Sequence, residues 1–192
     1  MKALVLTIMA TMFMLSSGVA WGKVDCNRHK LYCTIVKLKP KINKAFAMRL
    51  SNAIYKYSKQ YNVDPYRAIA IMTQESGINM DARNTRSRTK THKECDAWEK
   101  CTITKITTSE TSDFGLFQFH INTMKHFDLD VRRVMTDMDF TTHFAIKMIR
   151  DKIRACSKKW PDTPWACYNS ATEGKHQAYV KLVNRYYMGT NK

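Results

Sequence analysis

The sequence is poor in acidic residues, and this shortage determines its charge. It has 16 Asp and Glu against 32 Lys and Arg, which gives a formal net charge of +16. Such a chain is attracted to polyanions. The basic residues are nevertheless scattered through every segment, without the aromatic-basic motif of a nucleic-acid module. We therefore expect no nucleic-acid partner, and a basic surface that only keeps the protein in solution is an equally good interpretation.

Beyond its first 22 residues the sequence has no long apolar run. The one such run, residues 3–15, follows Lys2 and precedes a short stretch of small residues. This is the layout of a secretory signal peptide. The run is shorter than the roughly 20 residues of a membrane-spanning helix. We expect the signal peptide 1–22 to be removed on export, with cleavage after Ala20 or after Gly22.

The remaining chain, residues 23–192, is expected to form a single domain without a membrane span. Its length of about 170 residues is enough for one hydrophobic core, and no internal repeat or low-complexity tract divides it. We expect a monomer in the periplasm or outside the cell. The polyanions available there are the polymers of the cell envelope.

The sequence also lacks the Cys-x-x-Cys and His-x-x-x-His spacings that are typical of metal sites. We therefore expect neither a metal nor another cofactor. All six cysteines follow the signal peptide, and an even number in an exported protein indicates disulfides. Several pairings are open, and the simplest one joins Cys26 to Cys33, Cys95 to Cys101, and Cys156 to Cys167.

No segment alternates strongly enough to predict a central sheet, whereas the periodicity of an amphipathic helix recurs along the chain. Asp64 and Pro65 are typical of a helix start, and Gly77 is typical of a helix end. Helices are predicted over 42–61, 65–76, 137–155, 164–168 and 176–187.

Periodicity is lost between residues 79 and 112, a segment rich in Asn, Thr, Ser, Arg and Lys. We interpret this segment as a long surface excursion that one disulfide staples, with at most a short hairpin over 102–108. The predicted fold is mainly α: a single helical domain with a disulfide-stapled middle insertion and little β structure.

Glu75 is the carboxylate with the most unusual surroundings, because it ends a strongly apolar helical stretch. Apolar neighbours and the negative end of the helix dipole both disfavour the anion, so they raise the pKa. A carboxyl that stays protonated near neutral pH is the acid that glycosidic cleavage requires. Taken alone, the segment fits a solvent-exposed glutamate at a helix end better.

Three short motifs that occur in a fixed order favour the catalytic acid over the exposed glutamate as the interpretation of Glu75. They read Glu75-Ser76, Gly115-Leu116-Phe117-Gln118 and Tyr168-Asn169-Ser170. They resemble the soluble lytic transglycosylase family, a lysozyme-like group that carries Glu-Ser, Gly-Leu-Met-Gln and Tyr-Asn-Ala-Gly in this order. The resemblance extends over about residues 50–188. It implies a lysozyme-like α+β fold and an enzyme that cleaves the glycan strands of peptidoglycan.

The resemblance also implies a role for each matched residue. Glu75 is expected to be the catalytic acid and base at the bond between N-acetylmuramic acid and N-acetylglucosamine. Gln118 is expected to hydrogen-bond the substrate, and the hydroxyl of Tyr168 to lie near Glu75. The substrate-binding residues expected in all are Ser76, Ser112, Gly115, Phe117, Gln118, Tyr168 and Asn169.

Most glycosidases use two carboxylates, yet the sequence offers one, because Asp81 and Asp113 look like turn or cap residues. The resemblance implies that the substrate supplies the missing group and that 1,6-anhydromuramic ends form. Two alternatives stay open. The first is hydrolysis, as in goose-type lysozyme. The second is a non-catalytic cationic protein that binds the envelope within a secretion, conjugation, pilus or virion assembly.

Overall fold

The computed structural model describes residues 24–95 and 100–189, so the predicted signal peptide 1–22 lies outside the described residues. The fold is mainly α with a small antiparallel sheet, as the sequence predicts. Among the helices described, none is long and apolar enough to cross a membrane. In chain order the elements are α1 (Lys30–Leu38), α2 (Lys44–Tyr61), α3 (Pro65–Ser76), β1 (Arg83–Cys95), β2 (Cys101–Phe114), β3 (Phe119–His120), α4 (Ile121–His126), α5 (Val131–Thr136), α6 (Met138–Cys156), a 3-10 helix (Pro164–Tyr168) and α7 (Glu173–Asn184).

The bounds of α2, α3 and α6 follow from the residues that flank these helices. The side chains of Asn43 and Asp137 each accept a hydrogen bond from a backbone N–H three residues further on, at 3.0 and 2.9 Å. Asp64 caps α3 in the same way, and Pro65 occupies its first turn. Gly77 ends α3 with a φ of 61°, a conformation that favours glycine. The sequence therefore predicted these helices closely.

Three helices have no counterpart in the sequence prediction. α1 includes Cys33 of the first disulfide, and α4 and α5 have six residues each, too few for a repeating apolar pattern. Two other predictions need correction. Residues 164–168 form a 3-10 helix, and α7 begins and ends three residues before the predicted helix 176–187.

Helix α3 lies at the centre of the core. Its residues 68–72 are fully buried, and the helix contacts α1, α2 and α7. Burial on every side explains why this segment is apolar almost throughout rather than amphipathic. α2 and α6 pack beside each other around it. The packing fixes the last turn of α3, and with it the position of Glu75.

The middle segment departs most from the prediction. In place of a short hairpin over 102–108, strands β1 and β2 form a long antiparallel hairpin whose register runs from Arg83 opposite Phe114 to Cys95 opposite Cys101. The hydroxyl side chains of the two strands pair across the ladder, for example Ser87 with Ser109 at 2.8 Å. Both strands have β-favouring residues, but neither has an apolar face.

Only the base of this hairpin enters the domain. Residues 101–110 of β2 are all exposed, whereas residues 112–114 are buried, and β1 is exposed wherever its side chains are described. We call the described part beyond the base, residues 85–95 and 101–110, the arm. Because both faces of the arm meet solvent, its sequence carries no alternation of apolar and polar residues.

The three disulfides join each cysteine to its nearest neighbour in sequence, which is the simplest of the predicted pairings. Each one serves a different part of the fold. Cys26–Cys33 holds the segment before α1 to that helix, and Cys95–Cys101 joins the last residue of β1 to the first residue of β2. Cys156–Cys167 ties the end of α6 to the 3-10 helix. The last bond is the one that constrains the third sequence motif.

Candidate active site

A cavity of about 520 Å³ lies between the end of α3, the base of the hairpin, α4, α6 and the 3-10 helix. One or more residues of each of the three sequence motifs line it. The complete lining is Glu75, Asn84, Asp113, Gln118, Phe119, His120, Thr123, Met148, Lys152, Tyr168, Asn169, Ser170 and Lys175. The fold therefore brings together four of the residues that the sequence singled out: Glu75, Gln118, Tyr168 and Asn169.

A second cavity of about 260 Å³ adjoins the first. Glu75, Asn169 and Lys175 line both of them. Glu75 therefore lies where the two cavities meet, with space for a ligand on either side. Within residues 24–95 and 100–189, no three His, Cys, Asp or Glu side chains form a group that could hold a metal ion.

The electrostatic surroundings of Glu75 favour its protonated form. The pKa of its carboxyl is raised from 4.5 to about 7, with burial as the largest cause and the nearby charge of Asp113 as a smaller one. The hydroxyl of Tyr179 donates a hydrogen bond of 2.5 Å to Oε1, which lowers the pKa and limits the effect. The carboxyl is thus poised between acid and base near neutral pH, as general acid-base catalysis requires.

Asp113 is a second carboxylate in the same cavity, and the sequence interpretation as a turn or cap residue needs correction. It is buried at the end of β2. Its Oδ2 accepts hydrogen bonds from the hydroxyl of Ser112 at 2.6 Å and from the amide of Asn84 at 3.2 Å. These two donors fix the position of its carboxylate. Ser112, expected to bind substrate, instead supports Asp113 and lies outside the lining of the cavity.

Tyr179 is the residue that the sequence did not identify. It lies within the predicted helix 176–187, where an apolar position carries no sign of chemistry, and in the structure it is almost fully buried on α7. Its hydroxyl reaches Glu75, which is 104 positions earlier in the chain. No local pattern links residues that far apart, so only the packing of α7 on α3 reveals the contact.

The side chains of Gln118 and Tyr168 both donate hydrogen bonds to backbone carbonyl oxygens in and beside the turn that follows β2. The side-chain amide of Gln118 donates to the carbonyl oxygens of Ala82 at 3.1 Å and Gly115 at 2.9 Å. The hydroxyl of Tyr168 donates to the carbonyl oxygen of Phe117 at 2.9 Å. Burial raises the pKa of Tyr168, and the charge of Glu75 raises it again.

Three further residues expected to bind substrate support the site from outside the cavity. The side chain of Phe117 is fully buried in the core. Ser76 donates a hydrogen bond of 2.7 Å to the carbonyl oxygen of Leu116, which joins α3 to the Gln118 turn. Gly115 has a φ of 76°, and a Cβ there would lie 3.2 Å from the carbonyl oxygen of Val134. Packing and backbone conformation give these residues a structural role, and a direct contact with substrate stays a prediction.

Two substitutions are expected to move the pKa of Glu75 in opposite directions. Asp113→Asn removes a nearby negative charge and should lower the pKa, whereas Tyr179→Phe removes a hydrogen bond to the carboxylate and should raise it. Carbon-13 NMR titration of the Glu75 carboxyl measures both. Asp81→Asn, which removes an exposed carboxylate outside the cavity, is the control and should leave the titration unchanged. Shifts of the same sign in both variants would contradict this account.

Comparison with known protein families identifies the family of this chain. A family model described as the transglycosylase SLT domain matches residues 52–185, which is more than half of the chain and includes both cavity-lining carboxylates. Searches of curated proteins and of solved structures find no match. The matched family is lysozyme-like, and it supports a glycosidase or lyase type of enzyme that acts on peptidoglycan. The chain therefore belongs to the transglycosylase SLT domain family.

Proposed function

We propose that this protein is an exported lytic transglycosylase. It cleaves the β-1,4 bond between N-acetylmuramic acid and N-acetylglucosamine, leaves 1,6-anhydromuramic ends, and uses Glu75 as its general acid and base. The observation that carries the proposal is a carboxyl with a pKa raised to about 7 at the junction of two cavities. Gln118 and Tyr168 of the other two motifs line the larger cavity with it.

In the first step the protonated Glu75 carboxyl gives its proton to the glycosidic oxygen. The bond from that oxygen to C1 of the muramic residue breaks, and N-acetylglucosamine leaves with a free hydroxyl. The positive charge that develops at C1 is stabilised by the 2-acetamido oxygen of the substrate. The anion of Asp113, fixed by Ser112 and Asn84, adds electrostatic stabilisation within the same cavity.

In the second step Glu75 acts as a base. Its carboxylate, which the hydroxyl of Tyr179 stabilises, takes the proton from the C6 hydroxyl of the muramic residue. The C6 oxygen then forms a bond to C1 and closes the anhydro ring. The carboxyl is protonated again, and no water is consumed. A pKa near the working pH suits both steps, because neither protonation state is costly to reach.

Hydrolysis is the second candidate, and Asp113 is the observation that favours it. Two carboxylates in one cavity are the usual equipment of a glycosidase that activates water. In that reaction Glu75 still protonates the leaving oxygen. Asp113 then takes a proton from a water molecule that attacks C1, and the product ends in a reducing sugar.

The two reactions differ in their products, so product mass tests the proposal. Purified peptidoglycan is digested in water enriched in oxygen-18, and the soluble fragments are analysed by mass spectrometry. Anhydro ends are one water molecule lighter and take up no label, whereas hydrolysed ends carry the label. Labelled reducing ends would reject the transglycosylase reaction in favour of the second candidate. Absence of any fragments would favour the non-catalytic envelope protein.

Export is part of the proposal. The three disulfides fit an oxidising compartment such as the periplasm or the extracellular space. The net charge of +16 attracts the chain to the anionic polymers found there. Fractionation of cells that express the full chain should recover it outside the cytoplasm, shortened by the predicted signal peptide.

A further inference from the structure

Two lysines line the larger cavity, and the proposed reaction uses neither of them. Lys152 comes from the last part of α6, and Lys175 from the first turn of α7. Among the described residues, no hydrogen bond or ion pair engages either ammonium group. Nearby lysines differ, because Lys147 pairs with Asp151 at 3.1 Å and Lys159 donates to the carbonyl oxygen of Ala171.

The raised pKa of Glu75 has burial, the hydroxyl of Tyr179 and the charge of Asp113 as its causes, and neither lysine is among them. Because no described residue pairs with the two ammonium groups, they are available to a ligand. Leaving histidine aside, the cavity with Glu75 protonated carries two cations against the single anion of Asp113, so it favours a ligand with negative charge.

We infer that Lys152 and Lys175 bind carboxylate groups of the substrate and make the cavity selective for acidic glycan strands over neutral ones. The inference rests on the proposed function, and it names the part of the strand that is recognised. In peptidoglycan the carboxylate comes from the lactyl ether of the muramic residue, or from the peptide that is attached to it. Lys175 lines both cavities beside Glu75, and Lys152 lines the larger one alone.

The lysines also counter the electrostatic repulsion between the carboxylates of the cavity and an acidic strand. Asp113, and Glu75 once it has given up its proton, repel an acidic strand. Cations on α6 and α7 counter this repulsion without occupying the reacting centre. Both lysine side chains are exposed, so each ion pair is weak and sensitive to salt. Their effect should therefore appear in substrate binding and KM, while kcat changes little.

The experiment compares two double variants that remove the same charge. Lys152→Gln with Lys175→Gln is the test pair. Lys158→Gln with Lys181→Gln is the control pair, because both residues are exposed and line neither cavity. Binding is measured in the Glu75→Gln background, so that strands stay intact. The ligands are peptide-bearing glycan strands, strands stripped of peptide by an amidase, and strands whose carboxyl groups have been chemically reduced.

We expect the test pair to weaken binding of a carboxylate-bearing strand by roughly 3- to 10-fold and the control pair by less than about 2-fold. Binding of carboxyl-reduced strands should be the same in all three proteins. A loss confined to stripped strands assigns the contact to the lactyl carboxylate, and a loss confined to peptide-bearing strands assigns it to the peptide. A Lys152→Arg, Lys175→Arg pair should retain binding.

Two outcomes would overturn the inference. In one, the test pair loses no more affinity than the control pair. In the other, it loses as much affinity for carboxyl-reduced strands as for acidic ones. Neither depends on turnover, so this result can be separated from a failure of the proposed reaction, which shows itself in the mass of the products.

Discussion

Replacing Glu75 with Gln should reduce the rate of peptidoglycan lysis by roughly 10²- to 10⁴-fold, the range that one general acid-base group supplies. Gln has nearly the same shape, and its amide can accept the hydrogen bond from Tyr179, but it cannot donate a proton to the glycosidic oxygen. The measurement is the initial rate of release of soluble fragments from purified peptidoglycan.

The matched control is Glu110→Gln, which changes an exposed glutamate on the arm and should leave the rate unchanged. Correct folding of the Glu75 variant is checked separately by its circular dichroism spectrum. If the Glu75 variant lyses cell walls as fast as the wild type, Glu75 is not the catalytic acid.

The same substitution should also change how stability depends on pH. The pKa of Glu75 is about 7 in the folded protein and 4.5 as its ordinary value. The folded state therefore holds a proton that the unfolded chain releases between these values. The contribution of this group to stability is fully present below pH 4.5 and is lost as pH rises through about 7. The Tm of Glu75→Gln should thus exceed that of the wild type by more at pH 8 than at pH 5.

The second large effect is expected from the disulfide between Cys156 and Cys167. Replacing both residues with Ala should lower the free energy of unfolding by about 3 kcal/mol, because the bond closes a loop with a sequence separation of 11. Both cysteines are buried where α6 meets the 3-10 helix, and that helix carries Tyr168. Urea unfolding followed by tryptophan fluorescence gives the free energy.

Replacing Cys95 and Cys101 with Ala is the matched control for a disulfide outside the core. That bond closes a loop of similar size, with a sequence separation of 6, but it joins two exposed strand residues. The global transition should change by much less than in the first pair, because the arm can open without exposing the core. Equal losses in the two pairs would show that the arm unfolds together with the domain.

The central part of the fold was predictable because local signals and tertiary packing agree there. Asp64, Pro65 and Gly77 mark both ends of α3, and the apolar residues between them are the ones that the core buries. The segment alone fits an exposed glutamate better, so the buried, acidic Glu75 was predicted only once the three motifs were considered together. The apolar stretch before it is visible in sequence, and burial is the largest cause of the raised pKa.

The rest of the site was not predictable for a physical reason. Tyr179 and Asp113 act on Glu75 through space, from α7 and from the base of the hairpin. Their own sequence surroundings indicate an apolar helix face and a turn. Ser112 and Phe117 were expected to meet the substrate because they lie in or near a motif, and their burial was not visible in the sequence. Burial instead assigns them to the support of Asp113 and to the core.

The arm and the base of the hairpin differ in how freely their sequences can change during evolution. Residues 101–110 lie outside the core, while Asn84, Ser112 and Asp113 at the base belong to the cavity wall and its support. At about 3.4 Å per residue, the 13 residues of β1 extend over roughly 40 Å. Insertions, deletions and exchanges towards the tip should therefore accumulate among descendants of this gene without loss of catalysis. Asn84, Ser112 and Asp113 at the base should stay the same.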